Sequence, residues 1–164
     1  MMKDATRILQ KKWIKNQLIG LDLIYDCSGL IRFIDIDFIK NSQLIHSYQK
    51  EYFLSYEGET TLNNLLQSNG ELWSEIQINN KILIDDKYIL LCGEGEMGSD
   101  GFIIKTDINN NILWFLYSTT SNPFINMEQK ESLVYFRSTS NFYIVLDLIN
   151  NDIFIENDNT IFEK

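Results

Sequence analysis

The chain has 164 residues, with fourteen Lys and Arg against twenty-three Asp and Glu, so its formal charge at pH 7 is −9. One histidine and two cysteines exclude a zinc held by three histidines, a zinc held by four cysteines and any disulfide-framework scaffold. The negative excess also argues against a nucleic-acid binder, because nothing offsets phosphate repulsion.

A 45% hydrophobic fraction at this length lets the chain build a core without metals or disulfides, in a single domain of residues 1–164. Lys3, Arg7, Lys11, Lys12 and Lys15 stand against Asp4 alone in the first twenty residues, so the remainder is more acidic still. Those lysines recur where a signal peptide needs an apolar stretch, and the signal reading fails. The uncharged run 108–127 is long enough to span a bilayer, but Asn109-Asn110-Asn111 and the polar segment 118–123 break it. A cytoplasmic protein with no membrane contact is expected. Cys27 and Cys92, each beside an apolar run, read as reduced, packed thiols.

In chain order, Ala5, Ile8, Leu9, Trp13, Ile14 and Leu18 recur near a 3.6-residue period, which predicts an amphipathic helix from Asp4 that ends at Gly20. Two apolar runs, 21–25 and 30–38, flank Asp26-Cys27-Ser28-Gly29 and read as a hairpin. In 41–69, Leu44, Ile45, Tyr48, Tyr52 and Phe53 suit a helix, while Tyr52-Phe53-Leu54-Ser55-Tyr56 suits a strand equally well. Thr60 or Thr61 then caps a short helix through Leu62, Leu65 and Leu66 that stops at Gly70. Residues 75–78 and 81–84 around Asn79-Asn80 have the form of a hairpin. Strands at 88–92 and 102–106 flank a Gly-rich loop. An Asn turn at 109–111 leads into 112–117, apolar on both alternating faces and therefore expected inside a sheet. Strands at 133–136, 142–148 and 153–155 complete the set, with a turn at Asn150-Asn151. The class expected is α+β: an N-terminal helix and short helices packed on a mostly antiparallel sheet.

Four patterns carry candidate chemistry. Gly93-Glu94-Gly95-Glu96-Met97-Gly98 matches the dinucleotide fingerprint in spacing, but a strand follows where a helix should open, and Glu94, Glu96 and Asp100 would repel a phosphate. A mobile acidic loop is the favoured reading. Asp107-Ile108-Asn109-Asn110-Asn111 copies half of a calcium loop, then places Ile112 and Ser118 where Gly and Glu are required, so a turn is expected. Asp35 and Asp37 with Asp85-Asp86-Lys87 imitate the acidic-acidic-lysine set of a metal-dependent nuclease or hydrolase; solvated strand-end charges are the plainer reading. Cys27 or Cys92 with His46 offers a thiolate pair, against buried cysteines and a surface histidine. Trp13, Trp73 and Trp114 are expected in the core. Neither a catalytic residue, a metal nor a cofactor is therefore assigned.

What remains is acidity. Glu57, Glu59, Asp85, Asp86, Glu94, Glu96 and Asp100 fall in or beside proposed turns, where side chains reach solvent. Such a surface complements a basic partner, and enzymes that cut nucleic acid carry basic grooves. The chain resembles a bacterial immunity protein of a contact-dependent or polymorphic toxin system: a small acidic domain rich in Ile and Asn, with strand, Gly-acidic loop and strand over 88–107, then an Asn turn and an aromatic strand at 112–117. The succession over 88–117 is similar to that of the SUKH immunity superfamily, although strands follow Leu133 where that superfamily ends in a helix. The resemblance implies tight binding to one cognate toxin, often a nuclease, with Asp85, Asp86, Glu94, Glu96 and Asp100 as the partner-binding residues assigned on charge. A metal-dependent enzyme and a non-catalytic oligomeric scaffold are the alternatives.

Overall fold

The computed structural model describes residues 4–40, 50–68 and 72–157. His46, Gly70, Leu44, Ile45 and Tyr48, named above, lie outside the described residues. Asp4–Ile14 forms helix α1, with Ala5, Leu9 and Trp13 spaced four apart and buried as one stripe. The helix stops six residues before the expected end at Gly20. Asn16 adopts φ 61° and its N–H donates to Trp13 C=O at 2.9 Å, the left-handed residue that closes a helix. Gln17–Ile19 then becomes strand β1.

Strands β2 (Leu23–Asp26) and β3 (Leu30–Lys40) form the expected hairpin, and β4 (Lys50–Thr61) pairs with β3 along its whole length. The aromatic cluster at 52–56 is therefore strand. Thr61 caps helix α2 (Leu62–Gln67), its hydroxyl accepting from Asn64 N–H at 3.1 Å. There follow β5 (Trp73–Glu75), β6 (Gln77–Ile84), β7 (Tyr88–Glu94), β8 (Gly101–Asp107), β9 (Ile112–Ser118), β10 (Phe124–Lys130), β11 (Leu133–Ser138), β12 (Phe142–Asp147) and β13 (Ile153–Asn157).

All pairings are antiparallel among the described residues. Seven strands form the sheet β4-β3-β2-β9-β8-β7-β6, four form the meander β10-β11-β12-β13, and β1 pairs with β5. Strand β9 is the middle of seven, as its two apolar faces require: Phe115 and Tyr117 join one core, Trp114 and Leu116 the other. The first core lies between this sheet and α1, α2 and β1; the second fills the space between it and the four-stranded sheet. The architecture is thus sheet-dominated, and the expected α+β balance overweights the helices: one ends early at Asn16 and the other has six residues.

The expected hairpin at Asn79-Asn80 does not form. Both residues lie inside β6, at a register shift against β7. Their amides cross to the other sheet: Asn79 Nδ2 donates to Phe124 C=O at 3.1 Å and Asn80 Nδ2 to Asn126 Oδ1 at 3.0 Å. At the opposite side of the sandwich, Asn157 Oδ1 accepts from Tyr52 N–H at 2.7 Å and its Nδ2 donates to Tyr52 C=O at 3.0 Å. Asparagine side chains therefore tie the two sheets together at both edges.

Candidate functional site

The glycine motif 93–98 is a packing device. A Cβ on Gly93 would strike the Gln77 carbonyl and the Phe102 ring, and one on Gly95 would strike the Tyr117 hydroxyl. The loop it opens is tied down rather than free. Tyr117 Oη donates to Asp100 Oδ2 and lies 2.8 Å from Ser74 Oγ, which in turn accepts from Glu96 N–H at 3.1 Å. Asn122 N–H donates to Ser99 C=O at 2.8 Å. Burial, with the carboxylate of Asp100 as acceptor, pushes the Tyr117 hydroxyl well above its ordinary range. Asp100, expected at the surface, is only 4% exposed, because the Tyr117 hydroxyl arrives from the sheet centre and draws it in. Glu94 is half-buried and Glu96 exposed.

Asp85 and Asp86 are exposed at the other end of β7. They adopt φ 52° and 55° in a turn closed by Lys87 N–H on Ile84 C=O at 3.0 Å, so their first role is conformational. At about 3.3 Å per residue, the length of β7 puts roughly 20 Å between this turn and Glu94. The five acids assigned from sequence therefore do not form one patch. Nor does the acidic-acidic-lysine set assemble, since β2, β9 and β8 separate β3 from β7, on the order of 19 Å across. Among the described residues no group of three or more His, Cys, Asp or Glu has metal-binding geometry.

The other candidates resolve as follows. Asp107 Oδ1 accepts from the N–H of Asn109 and of Asn111, each at 2.9 Å, and Oδ2 from Asn111 Nδ2 at 3.0 Å. Its small burial would raise the carboxyl, but these donors outweigh it and hold the group below the ordinary carboxylate value. The half-calcium loop is thus a self-satisfied turn, and it also anchors α1, through Trp13 Nε1 on Asn110 Oδ1 at 3.0 Å. Cys92 is packed as expected, and burial pushes its thiol up to about 12. Cys27 is not packed: it sits exposed in the β2–β3 turn, because the chain has already left the sheet there. Trp13 and Trp114 are buried and Trp73 is half-buried, with Lys12 Nζ 5.2 Å from its ring.

The sequence reading missed the β3–β4 ribbon. On β3, Ile34 and Ile36 enter the core shared with the four-stranded sheet, so Asp35, Asp37 and Ile39 occupy the opposite face. The register Asp35↔Ser55 and Asp37↔Phe53 adds Phe53 to that face. Ile39 is 57% and Phe53 43% exposed. At Asp35 the ribbon borders an open depression of about 460 Å³, lined also by Leu21, Asp22, Phe33, Ile34 and Glu57. Asp22 is spent internally, accepting from Thr119 N–H at 2.6 Å and Oγ1 at 2.8 Å. Two cations of the same sheet belong to its other face: Arg32 stacks over Tyr56 at 4.9 Å and Lys105 over Tyr88 at 4.4 Å, both lining a cleft under the Asn150–Asp152 turn. Burial lowers the Lys105 ammonium from its ordinary value.

Register places Glu94 level with Ile34, because Gly93 pairs with Phe102, Phe102 with Tyr117, Tyr117 with Leu23 and Leu23 with Phe33. Glu94 thus shares the face of Ile34 rather than that of Asp35 and Asp37, about 19 Å from β3 across four strand spacings and about 24 Å from Glu57 on β4 across five. The site best supported by geometry is the β3–β4 ribbon face: Asp35, Asp37 and Glu57 with exposed Phe53 and Ile39. No helix among the described residues is long and apolar enough to cross a membrane. Comparison with family models, curated proteins and solved structures finds no match to this chain.

Proposed function

We propose that the chain is a binding protein of the immunity type, which neutralises a cognate toxin domain by covering its basic active-site groove. The observation that carries this reading is the acidic ribbon face: Asp35, Asp37 and Glu57 stand together beside exposed Phe53 and Ile39, while Arg32 and Lys105 turn to the opposite face. Carboxylates around a small apolar centre match the anatomy of a protein interface, a dry middle with a charged margin that steers the partner in. A nuclease that grips phosphates presents the complementary surface.

Of the acids assigned from sequence, Glu94 turns to the opposite face, Glu96 stays on the β7–β8 loop, Asp85 and Asp86 stand at the other end of β7, and Asp100 serves the loop. The proposed surface is therefore the ribbon acids Asp35, Asp37 and Glu57. The test is co-expression with the product of the adjacent upstream reading frame. A stoichiometric complex with suppressed toxin activity is expected. A toxin that stays active and unbound, or a neighbouring frame that encodes a metabolic enzyme, would contradict the reading.

A further inference from the structure

Strand β4 closes the seven-stranded sheet on one side, and among the described residues part of its backbone is unanswered. In an antiparallel ladder a residue turns both backbone groups to one neighbour and the next residue turns both to the other. Tyr52 turns both outward, where the Asn157 amide meets its N–H and C=O. Leu54 and Tyr56, two and four residues on, therefore turn theirs outward as well, while Phe53 and Ser55 bond to β3. Among the described residues no backbone partner meets the outward groups of Leu54 and Tyr56. The opposite edge is occupied, since β6 leans on β10 through Asn79 and Asn80. Asn157 presents one donor and one acceptor to Tyr52 much as a residue of an added strand would.

We propose that β4 accepts an extended, lysine- or arginine-bearing strand of the partner along 54–56, so that main-chain bonds supply affinity and the neighbouring acids supply selection. This rests on the reading of the chain as a binder of a basic protein, and it names how that protein is held. Charge complementarity favours a basic occupant: Asp35 and Asp37 are on the adjacent strand, and Glu57 and Glu59 follow on β4 itself. It also disfavours a second copy of the chain. Antiparallel self-pairing centred on Leu54, or between Leu54 and Tyr56, sets Glu51 opposite Glu57 or Glu59, the kind of charge repulsion that keeps edge strands apart. Tyr56, at 49% exposure, leaves the approach open.

The experiment titrates the full chain with a short peptide of alternating Lys and Val, and with the same peptide N-methylated at alternate residues so that charge stays and one row of donors goes. Amide NMR and hydrogen exchange are read at Leu54 and Tyr56. The proposal expects the plain peptide to shift and protect these two amides, and the methylated one to bind about tenfold or more weakly. Tyr56→Pro, which removes an N–H that β3 does not use, should weaken the plain peptide similarly, whereas Tyr56→Ala should keep most of the binding; unfolding curves confirm that both are folded. Equal binding of the two peptides would overturn strand addition and leave the basic-partner reading standing. Binding of neither would overturn both. Chain–chain association that protects Leu54 and Tyr56 without peptide would assign the edge to self-pairing and also overturn the proposal.

Discussion

The Tyr117 hydroxyl donates to the buried carboxylate of Asp100, and that contact fastens the acidic β7–β8 loop to the central strand of the sheet. Gly95 has no side chain because the hydroxyl occupies the space a Cβ would need. The motif that resembles a phosphate loop is thus explained by the partner of one tyrosine.

Removing either member should be expensive. Tyr117→Phe leaves the Asp100 carboxylate buried with its strongest donor gone, a loss of about 1–3 kcal/mol. Gly95→Ala should cost at least as much, while Gly98→Ala, with open space around it, should stay within about 0.5 kcal/mol. Glu96→Lys should leave the midpoint nearly unchanged, and Asp100→Lys should lower it sharply. Denaturant unfolding of the five variants checks the set.

The paired asparagines at the sandwich edges give a second expectation. Were Asn79-Asn80 a hairpin turn, Asn80→Gly would stabilise it; inside β6 the change removes a bond to Asn126 and adds backbone freedom, so about 1–2 kcal/mol should be lost. Asn157→Ala should cost about as much and should free the Tyr52 amide to exchange faster. Thermal unfolding and hydrogen exchange read both.

Alkaline stability follows from Cys92. Burial raises its thiol from 9.0 to about 12, so above pH 9 the unfolded chain releases a proton that the folded chain retains. Stability is therefore intact below pH 9 and falls as pH rises from 9 toward 12, by roughly 1.4 kcal/mol per unit from this group. Tyr117 and Tyr25, both raised by burial, steepen the fall above pH 10. Cys92→Val should flatten the curve between pH 9 and 10, where the tyrosines contribute little. Urea midpoints at half-unit intervals measure it.

How far the sequence was legible depended on whether a residue's fate was local. Strand 112–117 could be placed at the sheet centre because its own alternation demands apolar contact on both faces. The 26–29 and 109–111 turns were equally readable, since Asp26 and Asp107 bond within their own turns. Asn79 and Asn80 misled because the groups they reach, Phe124 and Asn126, are more than forty residues away. Strand β10 was missed because after Phe124 only Met127 packs toward the core, so 124–130 shows no apolar alternation in the sequence. At the site, Asp100 was misjudged for want of Tyr117. Asp35 and Asp37 were noticed as a pair but not as a surface, because the β3–β4 register that sets Phe53 beside them is a tertiary fact.

The measurement that bears most directly on the function is the association rate with the product of the adjacent upstream reading frame, at low and high salt. It compares the wild type with an Asp35→Lys, Asp37→Lys, Glu57→Lys variant and with an Asp85→Asn, Asp86→Asn variant altered at the opposite end of the sheet. Exposed rim charges act mainly on encounter, so the first variant should associate about tenfold or more slowly at low salt and converge on the wild type at high salt. The second should match the wild type at both. Equal rates for all three proteins, or a slowing confined to the Asp85 and Asp86 variant, would contradict the assignment of the β3–β4 rim as the binding surface.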